Sequence, residues 1–342
     1  MKPPIFSVII PVRTITPYVK ETLQKLKKQS FQSFEIHVIT DKISSKSKLT
    51  NHQTGPSYKR NMGAKIAKGK YLAFLDDDSY PSKNWLKNAY NILTKDQTLA
   101  AVCGPCLTPP ADSISQKASG LVWSSFMGSG GAGVYRNSIQ SSRFVDDFPT
   151  VNLIVNKKDF LKIGGFNNKF WPGEDTILCL DLTKKLNKKI FYDPSLIVYH
   201  HRRSVFIPHL QQITRYAIHR GFFAKKFPET SFRIGYFIPS LFSLYLLIFL
   251  SVNIYLQVTS THRNIISFLF NFPFYLYLSI LILTFFSFLY KKNKISTSTL
   301  ATLAIPLTHI YYGILFIIGL IKPNLKFKPH RIDTKSGKYI GG

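Results

Sequence analysis

Short apolar runs alternate with amphipathic stretches over the first two thirds of the chain, and past Arg233 charge almost disappears. Phe6–Pro11 (FSVIIP) is a β-branched apolar run closed by proline, the signature of a buried strand. Thr16–Gln29 places Val19, Leu23 and Leu26 at helical spacing with lysines on the other face, and Phe34–Ile39 predicts a second strand that ends at Thr40-Asp41. Arg60–Lys68 reads as a helix closed by Gly69, and the strand Tyr71–Leu75 then delivers Asp76-Asp77-Asp78. Further on, Trp171-Pro-Gly opens a helix whose apolar face holds Leu178, Leu182 and Leu186, with Glu174 and Asp175 in its first turn. Alternating strands and helices predict an α/β domain with a mostly parallel sheet, in which ligands sit beyond the carboxyl ends of the strands. Pro11-Val12-Arg13, Asp41 and Asp76–Asp78 all fall at such ends. The glycine-rich run 128–133 (GSGGAG) matches neither a phosphate loop nor a dinucleotide fingerprint, and is read as a mobile flap over the site or a plain loop.

The pattern then changes. Three segments, Ile234–His262, Asn264–Tyr290 and Ser296–Ile321, contain no Asp, Glu, Lys or Arg. As a helix, the stretch Gly235–Leu256 would be roughly 33 Å long, enough for a bilayer core of about 30 Å. The expected organisation is a catalytic domain over 1–203, interface helices over 204–233, a transmembrane region over 234–321 and a basic tail over 322–342. Within 204–233, one face of Phe206–Ala217 presents Phe206, Leu210, Ile213 and Ala217, and the other Gln211, Arg215 and, beyond it, His219, as in a helix lying at a membrane surface. An ordinary packing helix has the same pattern. MKPPIFSVIIPV is too short and too broken an apolar run for a signal peptide, so the first domain is expected on the cytosolic side, where the basic cluster before the first span also places it. Three spans would carry the tail outside, yet it holds six Lys/Arg against one acid. Either one segment is re-entrant, with Pro273 and Pro306 interrupting two of them, or the charge rule is broken.

Charge narrows the chemistry. Lys and Arg number 45 against 17 Asp and Glu, a formal net charge of +28, yet seven of the acids are gathered in Asp76–Asp78, Asp146/Asp147 and Glu174/Asp175. Adjacent carboxylates repel, and a divalent cation is the natural counter-charge. The basic residues are spread along the chain without a recognition motif, so a membrane surface is the expected partner and nucleic acid is not. Cys103-Gly-Pro-Cys106 spells a redox motif, but Pro109 and Pro110 follow where that chemistry needs a helix, and the reading is a turn with two incidental thiols.

Taken in order, FSVIIPVR, EIHVITD, KRNMGAKIAKGKYLAFLDDD, IGGF, GEDTILCL and YHHRR resemble glycosyltransferase family 2, over about residues 5–225. The resemblance implies a GT-A, Rossmann-like nucleotide-sugar domain, and the apolar C-terminus resembles the membrane-embedded branch. It implies that Asp76 and Asp78 hold Mg²⁺ or Mn²⁺ as a DxD motif, with Asp77 between them and His200 or His201 as a further ligand; a surface histidine pair is the alternative. It implies donor contacts at Pro11, Arg13, Asp41, Arg60, Asp76 and Asp77. Asp175 matches the general base, with Glu174 beside it, although both are equally read as helix-capping acids. Trp171, Gln212, Arg215 and Tyr216 fall to the acceptor, the last three resembling a QxxRW motif with Tyr in place of Trp. Thr40 and Ile177 stand where the family often has acids.

The expected activity is a membrane-anchored inverting transfer of a sugar from a nucleotide-sugar donor to a lipid-linked or glycan acceptor at the cytosolic face. The alternatives are transfer to polyprenyl phosphate itself and a non-catalytic membrane scaffold.

Overall fold

The computed structural model describes residues 3–40, 55–259, 265–325, 331–332 and 339–340. The chain divides into two compact units, one of Met1–Leu107, Ser138–His201 and Lys326–Gly342, the other of Thr108–Asn137 and Arg202–Leu325.

In chain order the first unit begins with β1 (Phe6–Pro11), α1 (Pro17–Lys27), β2 (Phe34–Ile39), α2 (Pro56–Ile66), β3 (Tyr71–Phe74) and β4 (Ser79–Pro81). It continues through α3 (Trp85–Lys95), β5 (Leu99–Cys103) and β6 (Cys106–Leu107). Two helices of the second unit follow, α4 (Ile114–Ser124) and α5 (Phe126–Asn137). The first unit then resumes with β7 (Arg143–Val145), β8 (Leu153–Asn156), α6 (Lys157–Lys162), α7 (Glu174–Leu180), β9 (Lys189–Tyr192) and β10 (Val198–His200). The second unit ends with α8 (Ile207–Lys226), α9 (Ile234–Val258), α10 (Ile265–Tyr290) and α11 (Ile295–Ile321).

Seven strands form one sheet in the order β2-β1-β3-β8-β5-β9-β7, and β4-β10-β6 form a second. The expected α/β architecture is present, but the main sheet is mixed: β1 pairs in parallel with β2 and β3, and β5 with β9, whereas β8 and β7 run antiparallel to their neighbours. The α1 helix starts where Thr16 Oγ1 accepts from Val19 N at 3.3 Å and Pro17 supplies a φ suited to the first turn. Phe6, Val8, Ile9, Ile10, Leu72 and Phe74 on the central strands are fully buried, each such side chain contributing about 1.5–3 kcal/mol. Gly104 joins β5 to β6 because a side chain there would come within 2.3 Å of Leu196 O, and the Asn152 amide donates to Gly104 O at 2.8 Å and Leu196 O at 2.7 Å. Cys103 and Cys106 flank this turn as buried thiols, and the chain continues from Cys106 as β6 rather than as a helix.

The second unit is helical. The GSGGAG run is neither flap nor loop: it lies inside α5, interrupted only at Gly130, whose φ of 61° suits glycine. α9, α10 and α11 are each long and apolar enough to cross a membrane, with mean hydropathies of 2.0, 2.0 and 1.9 over their most apolar windows. They carry the three apolar segments read in the sequence.

Candidate active site

The site in the first unit is built on the end of β3. After Leu75 the chain reverses: Ser79 Oγ accepts from Asp76 N at 3.1 Å and donates to Asp76 O at 3.0 Å, closing a turn that carries Asp76, Asp77 and Asp78. β4 leaves this turn and pairs antiparallel with β10, which sets His200 opposite Ser79. That pairing brings a histidine from 122 positions further along the chain (200 − 78) to the acids: His200 Nε2 lies 3.1 Å from Asp78 Oδ1. One ligand atom each from Asp76, Asp78 and His200 falls within 4.8 Å of the other two. Two hard carboxylate oxygens and one imidazole nitrogen, converging beside a turn, fit a divalent cation.

His201 is turned elsewhere. Its backbone N–H donates to Asp78 O at 2.9 Å, while its ring stacks on Tyr18 at 4.1 Å and its Nε2 pairs with Glu21 Oε2 at 3.1 Å. Of the two histidines, His200 therefore joins the acids and His201 holds the strand end in place. Glu21 and Tyr18 have no local signal in the sequence, since both sit on an otherwise ordinary lysine-rich helix.

A second group of charges is organised by Arg60 on α2. The guanidinium donates from NH2 to Asp76 Oδ1 at 2.6 Å and from NH1 to Glu174 Oε1 at 2.8 Å, with Arg60 and Glu174 both buried. One planar fork thus spans the first acid of the Asp76–Asp78–His200 group and the first acid of α7. Burial pushes the Glu174 carboxyl up to about 7, helped by the neighbouring Asp175 charge and opposed by Arg60. Its partner is held the other way: despite burial, the charges of Asp76 and Glu174 raise the Arg60 pKa. The family resemblance implied a donor contact at Arg60; its bridging geometry depends on how α2 and α7 meet and has no sequence signal.

Neighbouring loops fix this arrangement. Asn61, next to Arg60, donates from Nδ2 to Phe166 O at 2.8 Å and accepts from Phe166 N at 2.9 Å, gripping the Gly164-Gly165-Phe166 turn. Gly165 has φ 75°, and a Cβ there would lie 2.6 Å from Asn61 Oδ1, so glycine is required twice over. α7 starts at Gly173, whose φ of 115° is again a glycine conformation. Asp175 is half-buried and accepts from Thr176 N at 2.8 Å, while Thr176 Oγ1 donates to buried Asp147 at 3.0 Å. Asp147 therefore serves the α7 start, leaving Asp175 the more accessible acid of the pair.

Pro11 is buried at the end of β1, Arg13 is exposed just beyond it, and Lys59 Nζ donates to Val12 O at 2.7 Å between them. Asp41 lies outside the described residues. Trp171 precedes α7 and is half-buried. Gln212, Arg215 and Tyr216 belong to α8 in the helical unit, where Arg215 and Tyr216 are exposed and the Tyr216 ring meets Trp123 edge-on at 5.8 Å.

Residues 45–129, which contain Arg60 and Asp76–Asp78, match the model of the family described as glycosyl transferase family 2. The chain is related to glycosyl transferase family 2. Its three C-terminal apolar helices fit the membrane-embedded branch of that family. Among curated relatives, the poly(ribitol-phosphate) beta-N-acetylglucosaminyltransferase TarS of Staphylococcus aureus is 34% identical over 102 residues, 25% of this chain and 18% of TarS. The GalNAc(5)-diNAcBac-PP-undecaprenol beta-1,3-glucosyltransferase of Campylobacter jejuni is 25% identical over 193 residues, 51% of this chain and 58% of that one. The chain thus spans less than two thirds of either relative. Among solved structures, the mannosyltransferase PcManGT of Pyrobaculum calidifontis, in complex with GDP-Man and Mn²⁺, superposes with a TM-score of 0.48 at 14% identity, over 93% of this chain and 87% of that one. That likeness is too slight to assign anything to this chain.

Proposed function

We propose that this chain is a membrane-anchored, metal-dependent glycosyltransferase that moves a sugar from a nucleotide-sugar donor to a lipid-linked or glycan acceptor by a single inverting displacement. The observation that carries the reading is the Asp76–Asp78–His200 group joined through Arg60 to Glu174 and Asp175, within and beside a stretch that matches the family.

Asp76, Asp78 and His200 would hold Mg²⁺ or Mn²⁺, which when bound supplies the positive charge that a departing nucleoside diphosphate needs. Pro11, Arg13 and Asp77 are the donor contacts of this reading, with Asp41 carried over from the resemblance alone. Arg60 ties the Asp76 and Glu174 carboxylates to one guanidinium, so the two acid groups keep their spacing before the donor arrives. Asp175, the more exposed acid of the pair, takes the proton from the attacking acceptor hydroxyl as that oxygen bonds to the anomeric carbon. The bond from that carbon to the diphosphate oxygen breaks as the new one forms. One base opposite one leaving group suits inversion, whereas two carboxylates flanking a glycosidic bond would suit hydrolysis.

Trp171, Gln212, Arg215 and Tyr216 are the acceptor residues, with Arg215 suited to a pyrophosphate or phosphate. The basic cluster Arg215, Arg220, Lys225, Lys226 and Arg233 ahead of α9 supports a cytosolic catalytic unit. The reading is tested with purified full-length protein against a panel of nucleotide sugars, with Mn²⁺ and with EDTA. Turnover of at least one donor that EDTA abolishes and Mn²⁺ restores is expected. No metal-dependent turnover or donor binding across the panel would remove the reading in favour of a non-catalytic scaffold.

A further inference from the structure

Three helices have the length and composition of membrane spans, but their packing within the helical unit is not that of three spans. α9 and α10 form an antiparallel hairpin. Going up α9 and down α10, Phe242 stacks on Tyr277 at 4.2 Å, Tyr245 Oη accepts from Phe274 N at 3.1 Å, Phe249 stacks on Phe274 at 4.4 Å, and Asn253 Nδ2 donates to Asn271 Oδ1 at 3.0 Å. The start of α9 and the end of α10 therefore share one side of the bilayer.

Both halves of α11 pack between that side and the middle of the hairpin. Its first half enters along α10: Phe288, near the α10 C-terminus, is buried with Ala301, Ala304 and Ile305, and Tyr277, at the middle of α10, pairs through Oη with His309 Nδ1 at 3.0 Å. Its second half runs back along the first turns of α9. Ser243 Oγ donates to Ile310 O at 3.3 Å, Ser240 Oγ donates to Gly313 O at 2.9 Å, and the Phe237 and Phe316 rings are 4.9 Å apart. As α11 advances, its partner residues on α9 fall from 243 to 237, towards the α9 N-terminus. A spanning α11 would instead climb towards Val258.

We propose that α11 does not cross the membrane but lies in the leaflet where α9 begins, so that the chain crosses the bilayer twice and residues 322–342 stay on the catalytic side. The partner of its outer face is the acyl region of that one leaflet. Leu303, Leu307, Ile314, Ile318 and Ile321 form an exposed apolar stripe, while Ser298, Ala301, Thr308, Phe316 and Gly319 are buried on other faces. A third of the apolar window of α11 is buried within the protein, 33% against 6% for each of the other two helices.

α8 holds α11 at that depth. Thr214 Oγ1 donates to Tyr311 Oη at 3.2 Å, a Cβ on Gly319 would come within 2.1 Å of Ile218 O, and Lys225 Nζ donates to Lys322 O at 2.7 Å. The two helices therefore run side by side, and α8 carries Arg215, Arg220, Lys225 and Lys226, which are costly inside hydrocarbon. Charge in the connections agrees. Two crossings leave Lys291, Lys292, Lys294 and the six Lys/Arg of the tail on one side, with Arg263 alone on the other; three crossings would export the tail.

The inference concerns topology and holds whether or not the protein transfers sugar. It is tested in sealed vesicles with Lys95→Cys, Ser296→Cys, Ser336→Cys and Thr261→Cys in the full chain, using a membrane-impermeant maleimide. The three native cysteines are buried, and the parent chain supplies the blank. Labelling of 95, 296 and 336 from one side and 261 from the other is expected. Labelling of 336 from the same side as 261, or any other distribution, overturns the proposal.

Discussion

The sheet unit and the helical unit solve opposite problems with different interactions. At the end of β3, a half-buried carboxylate, Asp76, and a buried one, Glu174, are tied to one guanidinium, Arg60, at 2.6 and 2.8 Å. In the helical unit, contacts between neutral groups join α4, α8 and α11. His209 bridges Ser119 at 2.9 Å and Thr308 at 3.1 Å, burial holding its pKa down at about 4, and glycines at 221 and 319 let α8 and α11 approach backbone to backbone. Lipid supplies no hydrophobic drive between helices, so close packing and satisfied polar groups must do it. The first region gathers charge of both signs at one point; the second joins its helices mainly through neutral groups.

The largest break in this contrast is expected from the charged side. Asp175→Asn should leave cation and donor binding near normal but lower transfer ~100- to 10,000-fold, because an amide cannot accept the acceptor proton. Single-turnover transfer measured beside donor binding checks it; near-normal turnover would make Asp175 a helix cap. Arg60→Lys should cost roughly 10-fold in kcat/KM, since an ammonium cannot bridge two carboxylates in one plane. Kinetics that separate kcat from the donor KM would register this, and an unchanged ratio would reduce Arg60 to a counter-charge.

On the neutral side, Gly319→Ala should lower the detergent-solubilised stability by about 1–3 kcal/mol, as a methyl group has no room beside Ile218 O. Thermal unfolding should show the loss with cation affinity at Asp76, Asp78 and His200 unaltered. A smaller effect is expected at Glu35 on β2. Burial raises its pKa, but hydrogen bonds from Lys68 N, Ser7 Oγ and His37 outweigh that and lower it to about 2 from 4.5. A depressed carboxylate stabilises the fold above about pH 4.5 and loses that contribution as pH falls towards 2. Glu35→Gln should therefore destabilise the protein at pH 7 by about 1 kcal/mol after solvent screening, with the difference from the parent vanishing near pH 2. A difference independent of pH would assign the effect to packing.

Charge was the most legible feature of the sequence. Three aspartates after an apolar run, and Glu174-Asp175 opening a helix, stand out in a chain with few acids, and the structure sets both groups around one arginine. The pairing of β4 with β10 was not legible, so His200 and His201 remained equivalent until backbone register separated them. Glu21, Asn61 and Ser79 look ordinary locally and acquire their roles only through contacts made across the fold. The GSGGAG run misled because glycine content signals flexibility in isolation, whereas in α5 two of its glycines fill helix turns with no space for a Cβ: at Gly128 it would sit 2.2 Å from Val122 O, and at Gly133 2.1 Å from Ser129 Oγ. Hydropathy reports composition and gives α9, α10 and α11 alike the length of a span; depth is set by which neighbours a helix packs against, and it is these neighbours that carry the proposal that α11 stays in one leaflet.

The central claim is that Asp76, Asp78 and His200 form a cation site through which the donor is held. Calorimetric titration of Mn²⁺ and then a nucleoside diphosphate into the full-length protein and its Asp78→Asn variant tests it most directly. The expected result is metal-dependent nucleotide binding in the parent and its loss in the variant, with the same unfolding temperature in both. Equal metal-dependent binding in the two proteins would contradict the claim.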